Sequence, residues 1–242
     1  MSGLFYKLGK VAGPNVRKAK WFWQTATGSE AEAVKAEQQV GQDMAYAVRK
    51  KLDFGVEGQI RQLLNDIGSK LSDCTANKRR RFSFEPFKSS NAEAFSLPGG
   101  FIFISRELVR LCEFDKNKLA FILGHEMAHV IGGHVTERIL SNSAMAIALR
   151  PGAPGGAFAN VLRKVGMKFL QSAYSQEQEF EADKVGIELA FAAGYDPSAS
   201  MQLLQRLAKL MGDANKADPG GYFSTHPAFK CRIDNINQLL HR

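Results

Sequence analysis

The string Leu119-Ala-Phe-Ile-Leu-Gly-His125-Glu126-Met-Ala-His129-Val-Ile131 constrains this chain more than any other feature. Apart from Glu126 it holds no formal charge, so it reads as a helix seated in the core with both histidines on a buried stripe. On an α-helix, positions four apart differ by about 40° around the axis and lie about 6 Å apart along it. Two imidazoles placed in this way can close on one tetrahedral metal through bonds of roughly 2.0–2.1 Å. Glu126 is turned about 100° from His125. Its carboxylate can therefore face an open coordination position and take a proton from water there. Two buried histidines without partners would be costly, which favours a metal over a plain core helix.

A third ligand decides the matter, and two candidates present themselves. Gly132 and His134 nearly complete the longer pattern His-Glu-x-x-His-x-x-Gly-x-x-His, but its last histidine falls on Val135. On a continuing helix, position 134 is also about half a turn away from His125. His134 is therefore expected to be structural or to support a ligand. The better candidate lies in Tyr174-Ser-Gln-Glu177-Gln-Glu179-Phe180-Glu181-Ala182-Asp183. Glu179 and Asp183 are four apart and share one helical face. A glutamate there can bind the metal, while the aspartate one turn on fixes a ligand histidine through its other ring nitrogen. Glu177 and Glu181 read as the solvated face, and Phe180, Ala182, Val185 and Leu189 as the apolar one.

Periodicity organises the remainder as mainly helical with one small sheet. Residues 30–74 read mostly as helix, with Ile60, Leu63, Leu64, Ile67 and Leu71 at helical spacing. From 81 to 105 the pattern changes to strand, with Phe82, Phe84 and Phe87, a Pro98-Gly99-Gly100 turn, and Phe101–Ile104. A short helix over 106–113 follows, and Asp115 caps a long one over about 116–140. The Pro-Gly-Ala-Pro-Gly-Gly-Ala stretch at 151–157 is expected to be a loop, placed to act as a lid. Helices resume over about 158–193 and 198–212. After a polar loop at 212–224, a last helix follows His226-Pro227.

Composition narrows the class. With 45% hydrophobic and 23% charged residues among 242, the chain is neither disordered nor a disulfide scaffold. Its three cysteines fit no metal-finger spacing. No window approaches the roughly 18 apolar residues of a membrane span, and the N-terminus lacks a secretory apolar stretch. The expected location is cytoplasmic or peripheral to a membrane. Of the net charge of +8, residues 1–29 supply Lys7, Lys10, Arg17, Lys18 and Lys20 with no acid, alongside Trp21, Phe22 and Trp23. This basic, aromatic arm suits peripheral contact with an anionic membrane surface. The run Lys78-Arg79-Arg80-Arg81 reads as a solvated strand entrance, and nothing interleaves these charges as a nucleic-acid module would.

The motifs taken in order resemble those of the gluzincin metallopeptidases that include the CAAX prenyl endopeptidases, HtpX and the Oma-type stress protease. The carriers are Leu-Gly-His125-Glu126-Met-Ala-His129, Glu179-Phe-Glu-Ala-Asp183, Gly194-Tyr-Asp-Pro197, and Thr225-His226-Pro227 with Arg232-Ile233. The resemblance covers about residues 55–240 and is nearest to the compact, soluble Oma-like members. It implies a zincin-like α+β domain over 30–242 that holds one Zn²⁺ through His125, His129 and Glu179. It further implies Glu126 as general base, Asp183 as support for a ligand histidine, and His226 as oxyanion stabiliser held by Arg232. The stretch Asn91–Phe103 resembles the family's edge strand, to which an extended polypeptide substrate can add. Glu93 stands where the family usually has asparagine.

The expected function is zinc-dependent hydrolysis of peptide bonds, with unfolded or misassembled proteins as the substrates the family implies. The rival is a latent or non-proteolytic, zinc-stabilised chaperone or membrane-surface binding protein. A purely structural site has no use for Glu126 as a base.

Overall fold

The structure, a computed structural model, describes residues 30–141, 173–213, 226 and 229–241. The basic arm, the 151–157 loop and the 212–224 loop lie wholly or mostly outside those residues, as does the start of the helix expected over 158–193. Among the described residues there are eight α-helices: α1 (Glu30–Arg49), α2 (Gly58–Asp73), α3 (Arg106–Leu111), α4 (Lys116–Ile131), α5 (His134–Ser141), α6 (Gln176–Ala192), α7 (Ser198–Asp213) and α8 (Phe229–Leu240). Three strands join them, β1 (Ser83–Phe87), β2 (Ala94–Leu97) and β3 (Phe101–Ser105). The mainly helical reading with one small sheet holds.

The sheet has the order β1-β3-β2, with β3 parallel to β1 and antiparallel to β2. Alternation along β3 divides the core. Ile102 and Ile104 face α2 and α4 with Phe84, while Phe103 joins Phe87, Phe95 and Leu97 beneath Met44 and Val48 of α1. Helices thus cover both faces of the sheet, which explains why its strands are apolar on both sides.

Local sequence sets the helix starts. The Asp115 carboxylate accepts from the Asn117 and Lys118 amides at the start of α4. Ser175 and Gln178 form a capping box that starts α6. The single helix expected over about 116–140 is instead two helices. α4 stops at Ile131, Gly133 takes φ 74°, and α5 begins at His134. Consecutive glycines end the helix because the second adopts a left-handed conformation that side chains disfavour. No helix among the described residues is long and apolar enough to cross a membrane.

Candidate metal centre

α4 is buried along nearly its whole circumference, from Leu119 to Val130. It runs against α6, and the two meet at Gly124 and Gly186. A Cβ on Gly186 would lie 2.8 Å from the His125 backbone nitrogen, and one on Gly124 would lie 2.8 Å from the Gly186 carbonyl oxygen. Only hydrogen at both positions permits that approach. It brings Glu179, two helical turns before Gly186, over the histidines of α4.

The expected ligands converge. His125 Nε2 and His129 Nε2 are 3.0 Å apart, His129 Nε2 is 3.5 Å from Glu179 Oε1, and His125 Nε2 is 3.7 Å from Glu179 Oε2. Ligand atoms about 2.0–2.1 Å from one tetrahedral metal stand about 3.3 Å from one another, so these separations fit a zinc ion. The donor set of two imidazoles and one carboxylate is also a zinc set. All three residues are fully buried.

His226 enters the same cluster. Its Nδ1 lies 2.9 Å from Glu179 Oε1 and 3.2 Å from His125 Nε2, so four residues bring donor atoms within 4.8 Å of one another. Its Nε2 lies 3.2 Å from Glu126 Oε1. The resemblance implies only an oxyanion role for His226; its place among the atoms that could hold a metal goes beyond that. Glu126 Oε2 is buried and has no hydrogen-bond partner among the described residues. A buried carboxylate oxygen left so is costly unless a ligand or a proton transfer uses it.

Asp183 and Arg232 form the floor. Asp183 Oδ1 is 3.0 Å from His125 Nδ1 and accepts a hydrogen bond from it, while Nε2 faces the cluster. Arg232 donates to both Asp183 oxygens, from Nε at 2.8 Å and Nη2 at 2.6 Å, and its Nη1 lies 2.7 Å from Glu179 Oε2. The same Nη1 reaches the His226 backbone carbonyl at 3.4 Å. The arginine expected to hold His226 thus chiefly holds the two carboxylates of α6. One fully buried guanidinium compensates two buried acids.

These contacts set the charges. Burial raises the pKa of Glu179, but the charges of His226 and Arg232 outweigh it and hold the group well below the carboxylate range. Asp183 is lowered too, with burial opposed by Arg232 and His125. For Glu126, burial is overcome by the His226 hydrogen bond and nearby charge, and its pKa falls to about 2. Burial lowers His226, yet Glu179 and Glu126 together carry it up to about 9. His129 is driven well below 6.5, mainly by burial.

An aromatic and a basic residue stacked outward from His129 carry no site motif in the sequence. The Tyr174 ring stacks on the His129 ring at 3.7 Å between centroids and 14° between planes. The Arg138 guanidinium sits 4.2 Å from the Tyr174 centroid. The available signal was Tyr174 directly before the Ser175 capping box, which pins it at the mouth of α6. His134, read as structural or supporting, lies with its Nδ1 3.1 Å from His129 Nδ1. Glu181 is exposed and Glu177 lies on the solvent side, as read.

Comparison with known proteins places the chain in a family. The model of Peptidase family M48 matches residues 59–240. The mitochondrial metalloendopeptidase OMA1 of Arabidopsis thaliana is 35% identical over 145 residues, 60% of this chain and 29% of that protein. OMA1 of Saccharomyces cerevisiae is 31% identical over 164 residues, 64% of this chain and 45% of that protein. The beta-barrel assembly-enhancing protease of Escherichia coli K12 is 24% identical over 220 residues, 86% of this chain and 44% of that protein. The chain spans less than half the length of each of these relatives.

Proposed function

Because the chain belongs to peptidase family M48, we propose that it is a zinc-dependent metalloendopeptidase. The observation that carries this reading is the buried convergence of His125, His129 and Glu179 with the Glu126 carboxylate alongside. His125 and His129, through Nε2, and the Glu179 carboxylate would hold the ion. Zinc in that position supplies Lewis acidity, which polarises the scissile carbonyl.

The protein's own groups do the proton work. Glu126 is ionised at neutral pH and accepts a proton from the attacking water, then returns it to the leaving amine. Asp183 fixes His125 in the tautomer that leaves Nε2 bare. Arg232 keeps Glu179 and Asp183 charged inside the core. His226 Nε2 stands on the Glu126 side of the cluster and gives a hydrogen bond to the developing oxyanion.

Unfolded or misassembled proteins are the proposed substrates, in keeping with relatives named for beta-barrel assembly. β2 is an edge strand packed against α4 and would receive an extended polypeptide by main-chain pairing. The basic, aromatic arm of residues 1–29 is proposed to give peripheral contact with an anionic membrane surface.

A second reading is favoured by His226 Nδ1. Four protein donors close a zinc site, so the resting protein would be latent until His226 leaves. One experiment addresses both readings: hydrolysis of casein by wild type, Glu126→Gln and His226→Ala at matched zinc content. The metallopeptidase reading expects wild type to cut and Glu126→Gln to lose about 10²-fold or more in rate. Equal cutting by the two would remove Glu126 as base. A fall in His226→Ala supports the oxyanion role, and a rise supports latency. If none of the three cuts while all hold zinc, the site is structural.

A further inference from the structure

The two ligand histidines are held at their outer nitrogens by different means. At His125 the partner is the Asp183 carboxylate, 3.0 Å away and fully buried. At His129 a second imidazole takes that place, with His134 Nδ1 3.1 Å from His129 Nδ1. His134 Nε2 in turn lies 3.5 Å from Glu181 Oε2. Glu181 and Asp183 are two residues apart on α6, so one helix reaches both histidines of α4, directly in one case and through His134 in the other.

Proton counting fixes the arrangement. Two facing Nδ1 atoms attract only when one bears hydrogen and the other a lone pair. When His129 gives Nε2 to a metal, its proton resides on Nδ1, so His134 Nδ1 must accept. A neutral His134 then carries its own proton on Nε2, the atom turned to Glu181. Each nitrogen has a single allowed role.

The chain path serves the same contact. On a continued α4, position 134 would face about 180° away from His125. The break at Gly132-Gly133 redirects the backbone, and the His134 ring folds back over Gly132, where a Cβ would lie 2.9 Å from its Nε2. His134 is itself buried.

We propose that His134, oriented by Glu181, is a positioning residue that fixes the tautomer and ring orientation of His129, as Asp183 does for His125. The inference rests on the reading of His125, His129 and Glu179 as zinc ligands. Partners of this kind change metal affinity by about 10- to 100-fold when removed.

The test is zinc affinity of the full chain by competition with a chromophoric chelator. His134→Leu deletes the acceptor and should weaken zinc about 10- to 100-fold. His134→Asn places Oδ1 near the former Nδ1 and should stay close to wild type, with the exposed Glu181→Gln falling less than His134→Leu. A packing role alone would lower the urea midpoint in both His134 variants and leave affinity unchanged, which overturns the proposal. Nitrogen-15 spectra of histidine-labelled, zinc-loaded wild type give a check that needs no variant. His134 should be protonated on Nε2 and bare on Nδ1, and a proton on His134 Nδ1 also overturns it. Wild type that takes up no zinc would instead remove the ligand assignment beneath it.

Discussion

α4 and α6 build the centre together, yet they bury themselves in opposite ways. α4 carries apolar residues on every side, and its two histidines are enclosed by Leu, Ile, Phe and Met. α6 turns Glu179 and Asp183 inward together with Ala182, Gly186 and Ala190, and leaves Glu177 and Glu181 outside. The first helix is stabilised by apolar burial, which offsets the cost of enclosing two imidazoles. The second brings two charges into the core, which is tolerable only because Arg232 and the histidines meet them there. A buried face made of acids has no apolar periodicity, so compensation by distant residues determines whether it folds.

This difference predicts how the metal-free protein responds to acid, the largest effect expected. His129 has a folded pKa below 6.5, so the unfolded chain binds its proton first and stability declines as pH falls through that value. Glu126, Glu179 and Asp183 have depressed folded values, so the stability they contribute is present above about 4.5 and lost on further acidification. His226 has the opposite sign. Its contribution is complete below 6.5 and disappears as pH rises through about 9. Urea midpoints of the zinc-free chain should therefore peak near pH 6.5 and drop most steeply below about 4.5. A midpoint unchanged between pH 5 and pH 3 would show that the acids of α6 are not paired as described.

Next in size is Arg232→Met, which keeps the apolar bulk and removes the charge. Two buried carboxylates then lose the guanidinium they share, and the loss should be about 3–5 kcal/mol by urea denaturation at pH 7. The loss should shrink at pH 4, where both acids can protonate. A deficit as large at pH 4 as at pH 7 would mean that Arg232 acts by packing rather than by charge.

Legibility in the sequence follows the same division. α4 was readable from its apolar run, and His125, Glu126 and His129 from four-residue spacing. Glu179 and Asp183 were readable only as a spaced acidic pair, because nothing local separates an inward acid from an outward one. The Arg232 pairing spans 49 residues and has no local signature. The end of α4 was misplaced because the apolar pattern resumes at Val135 and Ile139, which join the core cluster under α1. Two consecutive glycines were the signal that should have outweighed that pattern. His226 was found by its motif, but its nearness to the ligand atoms depends on how α8 docks, which sequence spacing does not encode.

The closest contact between the two helices allows the smallest and sharpest test. In a helix interior, Gly→Ala ordinarily stabilises by up to about 1 kcal/mol. At Gly186 the added Cβ would meet backbone, 2.8 Å from His125 N and 3.0 Å from His125 Cα, neither of which can rotate away. α6 must then move outward, and Glu179 moves with it. Gly186→Ala should cost about 1–3 kcal/mol and weaken zinc binding. Gly58→Ala serves as the counterpart, since a Cβ there meets nothing within 4 Å. It should be as stable as wild type or a few tenths of a kcal/mol more so. If the two variants denature alike, the helices do not meet backbone to backbone. The depth at which α6 carries its acids would then be set by side-chain packing around Phe121 and Ile187 instead.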